Sequence, residues 1–217
     1  MSKWRTSAQN NLLAWSKEKE DYIIAAKEWE FTGKVIDNGS STNRCDLCEG
    51  ENLRYHFEVR HDLENKFINV GSSCIAKFGL LVRDESGELI TDDKEKRKFL
   101  KKKLYEKQKD VYLEQLRNAY RASDSEDDQG WLEYIGNKIK HDIKFEINEA
   151  VDILDFLESK SILLDYHFIR FNTRSSVSIT YLAHENREYL EKIIKCIPPT
   201  QVKSITKRLL NKYGLII

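Results

Sequence analysis

The sequence predicts an α+β protein in which a small β-hairpin module precedes a mainly helical remainder built on a long central helix. Three observations carry this. Only nine Gly and two Pro interrupt 217 residues, which favours helices joined by few sharp loops. Two short alternating segments, 53–61 and 66–70, sit on either side of a turn, as in a β-hairpin. Residues 93–121 then run without a helix breaker, with Leu100, Leu104, Val111, Leu113, Leu116 and Tyr120 as apolar positions.

The elements follow in order. Residues 6–28 read as one helix, capped by Thr6 or Ser7, with Leu12, Leu13, Trp15, Tyr22, Ile23, Ala26 and Trp29 forming a rough stripe. "WEFTGKVID" reads as a strand ended by the turn-rich "NGSSTN". In "LRYHFEVRH", Leu53, Tyr55, Phe57, Val59 and His61 share one face. "KFINV" returns, and Gly71-Ser72-Ser73 opens a short helix carrying Cys74. "SDSEDDQG" (123–130) reads as an exposed acidic linker. Beyond it, "WLEYIGNKI" and "INEAVDILDFLESK" have helical period, while "YHFIRF" and "SVSITYL" look like strands. Two last helices, "HENREYLEKIIKCI" and "TQVKSITKRLLNKY", are separated by Pro198-Pro199. The expected organisation is 1–92 as an N-terminal helix and β-rich module, 93–122 as a long basic helix, 123–130 as the linker and 131–217 as an α+β C-terminal domain.

Three of the four cysteines fall between positions 45 and 74. Cys45 and Cys48 have the spacing of a zinc knuckle, and Cys74 stands in the first turn of a helix, where unpaired amides favour a thiolate. No apolar run approaches a membrane span, and the N-terminus lacks the apolar core of a secretory signal. A reducing cytoplasm is therefore expected, and there clustered cysteines favour metal over disulfides. Sulfur-rich tetrahedral ligation selects zinc over magnesium or calcium, with iron as the alternative that such ligands also suit. For the fourth ligand, strand parity prefers His61 to His56, with Asp46 or Asp62 as alternatives if a bulge intervenes. Four ligands would close the site and make Zn2+ structural. Cys196, among Ile193, Ile194 and Ile197, reads as a buried helix thiol.

"CDLCEGENLRYHFEVRH…FINVGSSCIAKFG" resembles the zinc module of small accessory proteins from phages and prophages of low-GC Gram-positive bacteria. In that pattern a CxxC, an I-R-Y strand and a hairpin precede VGSxC at a helix start. Cys45, Cys48, Arg54, Tyr55, Val70, Gly71, Ser72 and Cys74 match it, and the resemblance spans roughly residues 40–80. It implies a phage context and no particular activity.

No phosphate loop, HExxH, GxSxG or defensible carboxylate pair occurs, and His141, His167 and His184 are scattered among polar residues. The expectation is a protein that is not an enzyme. Lys+Arg equals Asp+Glu at 36 each, yet the charges segregate. Residues 94–109 hold nine Lys/Arg against two Glu, and the last 26 residues hold six basic and no acidic ones. Acid gathers at 123–128 and 146–158.

Two functions are expected from this. The first is an accessory factor that binds a host protein, in its sharpest form an anti-CRISPR inhibitor that keeps nucleic acid from a type II CRISPR effector nuclease. Its acidic face would be Asp124, Glu126, Asp127 and Asp128 with Asp152 and Asp155, opposite a basic channel on the effector. The alternative is nucleic-acid binding, with Lys94, Arg97, Lys98, Lys101, Lys102 and Lys103 tracking phosphates.

Overall fold

A computed structural model describes residues 3–214 apart from 164, 166, 174, 175, 186 and 198. It forms two compact units, residues 1–108 and 109–217, and the division falls inside the longest helix.

The first unit begins with α1 (Lys3–Trp15) and α2 (Tyr22–Ala26), where the sequence predicts one helix over 6–28. The break has a local cause. The Glu18 carboxylate accepts the amides of Glu20 and Asp21, and Asp21 caps α2 by accepting the Ile23 amide at 2.7 Å. Acidic side chains thus offer these amides an alternative to the helical ladder. Buried Ser16 marks the same corner, accepting the Trp29 indole N–H at 2.8 Å and donating to the Ala25 carbonyl.

Three antiparallel strands, β1 (Trp29–Asp37), β2 (Tyr55–His61) and β3 (Phe67–Val70), make a sheet in the order β1-β2-β3. A bulge lies in β1 between Phe31 and Val35, with Gly33 at φ 86°, a left-handed backbone suited to glycine. Strand parity holds in β2, where Phe57, Val59 and His61 are buried on one face. After β3, α3 (Ser72–Phe78) ends at Gly79 in the left-handed region. The core is built from Leu12, Trp29, Leu47, Phe57, Ile75, Leu80 and Leu100, all nearly inaccessible.

The longest helix is α4 (Asp93–Ala122), as the sequence predicts. Its N-terminal half supplies Leu100 to the first unit's core. There Lys96 is buried and donates to the Leu80 carbonyl at 3.0 Å.

The second unit contains α5 (Glu126–Lys140), a 3-10 turn at Ile147–Glu149, α6 (Ala150–Ser159), α7 (Ser176–His184), α8 (Arg187–Lys195) and α9 (Pro199–Tyr213). Two expectations are corrected here. The acidic run is not a linker along its length: residues 126–130 open α5, with Ser125 as a capping side chain that accepts the Asp128 amide. Three acidic residues in a first turn complement the helix dipole, so the composition that suggests a loop also suits a helix start. "SVSITYL" lies in a helix, not a strand. In 167–171 the only strand-like feature is a parallel bridge between Phe171 and Phe145, and Tyr166 lies outside the described residues, as does Pro198. Pro199 is the first residue of α9, where its missing amide costs nothing.

Candidate metal centre and charged surfaces

The loop before β2 and the start of α3 bring Cys45, Cys48 and Cys74 together, with ligand atoms all within 4.8 Å of one another. An antiparallel hairpin returns the chain to the level at which it began, so Cys74, just past β3, meets the knuckle that precedes β2. The Cys45 and Cys74 sulfurs are 3.7 Å apart. The knuckle turn is held by the Glu49 amide on the Cys45 carbonyl (2.9 Å) and the Cys45 amide on the Gly50 carbonyl (2.8 Å). Its register on β3 is set by Asp46, whose amide donates to the Asn69 carbonyl while its carboxylate accepts the Asn69 amide at 2.6 Å. Leu47, between the two cysteines, is fully buried. A Cβ at Gly50 would stand 3.3 Å from the Cys48 sulfur, so only glycine fits this approach without displacement.

One of the three sulfurs, that of Cys45, is placed to carry negative charge. The Cys45 thiol is pushed down to about 5, chiefly by the hydrogen bond from the Cys74 thiol and further by the amides of Cys48 and Gly71, against the cost of burial. The Gly71 N–H reaches the Cys45 sulfur at 3.4 Å. Cys74 is shifted upward, first because it donates to Cys45 and then because it is buried. Burial raises Cys48, which remains half-exposed, although the Gly50 amide opposes the shift. Without a cation, one buried thiolate suppresses ionisation of its neighbours. A divalent ion reverses that and lets all three ionise.

His61 is not brought to this cluster. It is fully buried at the other end of β2, paired with Trp29 across the strands and packed edge-on against its indole at 5.0 Å. One ring nitrogen meets the Glu28 carboxylate at 2.7 Å and the other accepts the Leu63 amide. His56 is likewise committed, to the Asn38 side chain and the Arg44 carbonyl. Neither Asp46 nor Asp62 joins the three cysteines, and among the described residues no fourth His, Cys, Asp or Glu does. The fourth cysteine, Cys196, is a buried thiol pushed up to about 12 by desolvation; it stands just past the last residue of α8 rather than within the helix.

The chain matches no protein-family model, no curated protein and no solved structure.

The acidic residues divide into two groups. Asp128 is bound by Lys160, which lowers its carboxyl pKa, and Asp155 accepts the Tyr189 hydroxyl. Asp124, Glu126, Asp127 and Asp152 are exposed. Glu126 and Asp127 also line a shallow, wide-open cleft with Gly130, Trp131, Tyr134 and Glu149. The two aromatics of that cleft carry no charge and no metal-ligand chemistry, so a search for motifs passes over them; their spacing from Asp127 on one helix is the signal that could have found them.

The basic helix is also thinned. Lys102 and Lys103 both reach Glu85, at 2.8 and 3.2 Å, Lys103 also reaches Glu106, and Lys98 pairs with Glu95. The side chains of Lys94, Arg97 and Lys101 keep no ion pair or hydrogen bond among the described residues. No helix among those residues is long and apolar enough to cross a membrane.

Proposed function

We propose that this chain is a zinc-stabilised binding protein, not an enzyme, and that it acts on a protein partner through the acidic cleft at the start of α5. Zinc is supported by sulfur geometry. Zn–S bonds of about 2.3 Å in a tetrahedron separate the sulfurs by about 3.8 Å, and Cys45 and Cys74 stand 3.7 Å apart. Three thiolates would hold the ion, leaving one corner to water. An open corner is also what catalytic zinc uses, but hydrolysis would need a base beside that water. Both histidines of the module have their ring nitrogens engaged elsewhere, which supports a structural role.

The observation that carries the binding reading is the cleft, which pairs carboxylates with two aromatic side chains. Such a surface suits an Arg or Lys side chain, whose cation can rest on an aromatic face while a carboxylate neutralises it. A basic partner surface would be steered to it electrostatically. Together with the phage-type resemblance of residues 40–80, this supports the sharper form, an inhibitor of a type II CRISPR effector nuclease.

The test is DNA cleavage by such an effector with increasing amounts of purified chain. Inhibition is expected, relieved by Glu126→Lys with Asp127→Lys and by Trp131→Ala while metal content stays unchanged. Full cleavage, with no complex on size-exclusion chromatography, would reject the sharper form. Inhibition that survives all three substitutions would reject the cleft as the contact.

A further inference from the structure

The first unit holds a cavity of about 260 Å³ between α3 and the N-terminal half of α4. Its floor is apolar, formed by Phe57, Ala76 and Leu100, which are themselves buried. Its polar lining is one-sided. Lys77, Arg97 and Lys101 contribute three cations, and among the described residues no acidic one lines it. Lys77 is drawn over the Trp4 ring at 4.6 Å, whereas the Arg97 and Lys101 side chains have no partner among the described residues. Ser72 and Ser73 also line the space, and their hydroxyls make no hydrogen bond among the described residues. This contrasts with the neighbouring Lys102 and Lys103, both neutralised by Glu85.

Unneutralised cations beside unused hydroxyl donors suit a tetrahedral oxyanion. A guanidinium fork supplies directed bonds and an ammonium supplies charge. We propose that this cavity is a phosphate-binding site for the backbone of a single-stranded nucleic acid, with Arg97 and Lys101 gripping a phosphodiester and Ser72 and Ser73 donating to its free oxygens.

A strand is favoured over a free phosphate because the cations continue beyond the cavity. Lys94, Arg97 and Lys101 recur at three- and four-residue spacing, which puts them on one face of α4 over about 10 Å. That length can meet consecutive phosphates. A single strand is favoured over a duplex because a flexible backbone can bend into a recess, while a convex double helix touches only its rim. The site belongs to the first unit, and it narrows the expected phosphate-tracking helix to three of its six basic candidates.

The probe is a short fluorescent oligothymidylate, read by anisotropy against salt concentration. Binding is expected at low salt, with a log–log salt slope of about −2 for three phosphate contacts on a single strand. Arg97→Ala with Lys101→Ala should weaken binding at least about tenfold, and Lys94→Ala should reduce the slope by about 0.7. Lys102→Ala, at a cation already neutralised, should leave affinity within about twofold. Circular dichroism and metal content should be unchanged in each variant. Absence of binding at low salt overturns the proposal, as does an equal loss on Lys102→Ala. Displacement by inorganic phosphate at matched charge, with Lys94→Ala silent, would make free phosphate the ligand and overturn the strand. Tighter binding of a duplex of the same sequence would overturn the single-strand assignment.

Discussion

Replacing His61 separates a metal ligand from a core histidine, because the two roles give opposite results. The ring is fully buried, packs edge-on against Trp29 at 5.0 Å and bonds Glu28 at 2.7 Å. Truncation to Ala opens a ring-sized cavity in the core, which costs about 2 to 3 kcal/mol for a side chain smaller than Phe. Loss of a hydrogen bond to a carboxylate adds about 1.5 kcal/mol, the low end of the range for charged partners. The low end applies because Glu28 keeps the amides of Lys17 and Glu18 at 2.7 and 2.9 Å. His61→Ala should therefore cost about 4 kcal/mol, lowering the melting temperature of the first unit by more than about 10 °C. His61→Gln, which retains a polar group toward Glu28, should recover part of that loss. Metal per folded chain, read by native mass spectrometry below the melting temperature, should stay at the wild-type value in both variants. A folded His61→Gln protein that has lost its metal would refute the placement of His61 in the Trp29 corner.

Three further outcomes are expected. Cys45→Ser, Cys48→Ser or Cys74→Ser should each abolish tight metal binding, and cobalt-loaded wild type should show charge-transfer absorption from three thiolates, not two or four. Asp37 accepts from two of the three Arg54 guanidinium nitrogens, Nε and Nη2, each at 2.9 Å, and this guanidinium holds its carboxyl below the ordinary range. Its stabilisation is complete above the unfolded carboxylate value and disappears as pH falls through the lower folded one. Asp37→Asn should thus cost about 1 kcal/mol at neutral pH, discounted because Arg54 is 42% exposed, and urea titrations of the two proteins should converge in acid; a gap that persists would exclude an ionic origin. Tyr112 presents a buried hydroxyl with no hydrogen-bond partner among the described residues, while its ring stacks on Phe168 at 5.3 Å. Tyr112→Phe keeps the ring and removes the stranded oxygen, so it should be neutral or stabilising by up to about 1 kcal/mol, and a clear loss in thermal melts would mean that the hydroxyl is satisfied.

The features legible in the sequence are those set by local period or by cysteine spacing. The long helix, the hairpin and the three-cysteine cluster belong to this kind. The misread segments are those in which side chains redirect backbone amides or in which apolar composition is ambiguous. Glu18 and Asp21 end a helix that the apolar stripe would continue. Ser125 starts one where acidic composition suggests a loop. "SVSITYL" is rich in β-branched residues yet helical, and its buried Ile179 and Leu182 stand three apart, as one helix face requires. Charge counts mislead in a related way. Pairing with Glu85, Glu95 and Glu106 removes Lys98, Lys102 and Lys103 from the basic surface, and those partners lie up to eighteen positions away.

The displacement of His61 from the cysteines shows that a strand residue has two coordinates. Parity assigns a face, and it assigns His61 correctly to the buried face of β2. Position along the strand assigns a level, and the cysteines occupy only one level. Cys48 precedes β2, and Val70, four residues before Cys74, pairs with Phe57. The metal centre therefore belongs to the Tyr55 end. His61 ends the strand six residues on, about 20 Å away at 3.3 Å per residue. No β-bulge can recover that distance, since a bulge changes face and not level. His56 stands at the right level but on the opposite face, turned toward Asn38 and Arg44. Each histidine thus satisfies one coordinate and fails the other, which is why the cluster contains three thiols and no imidazole.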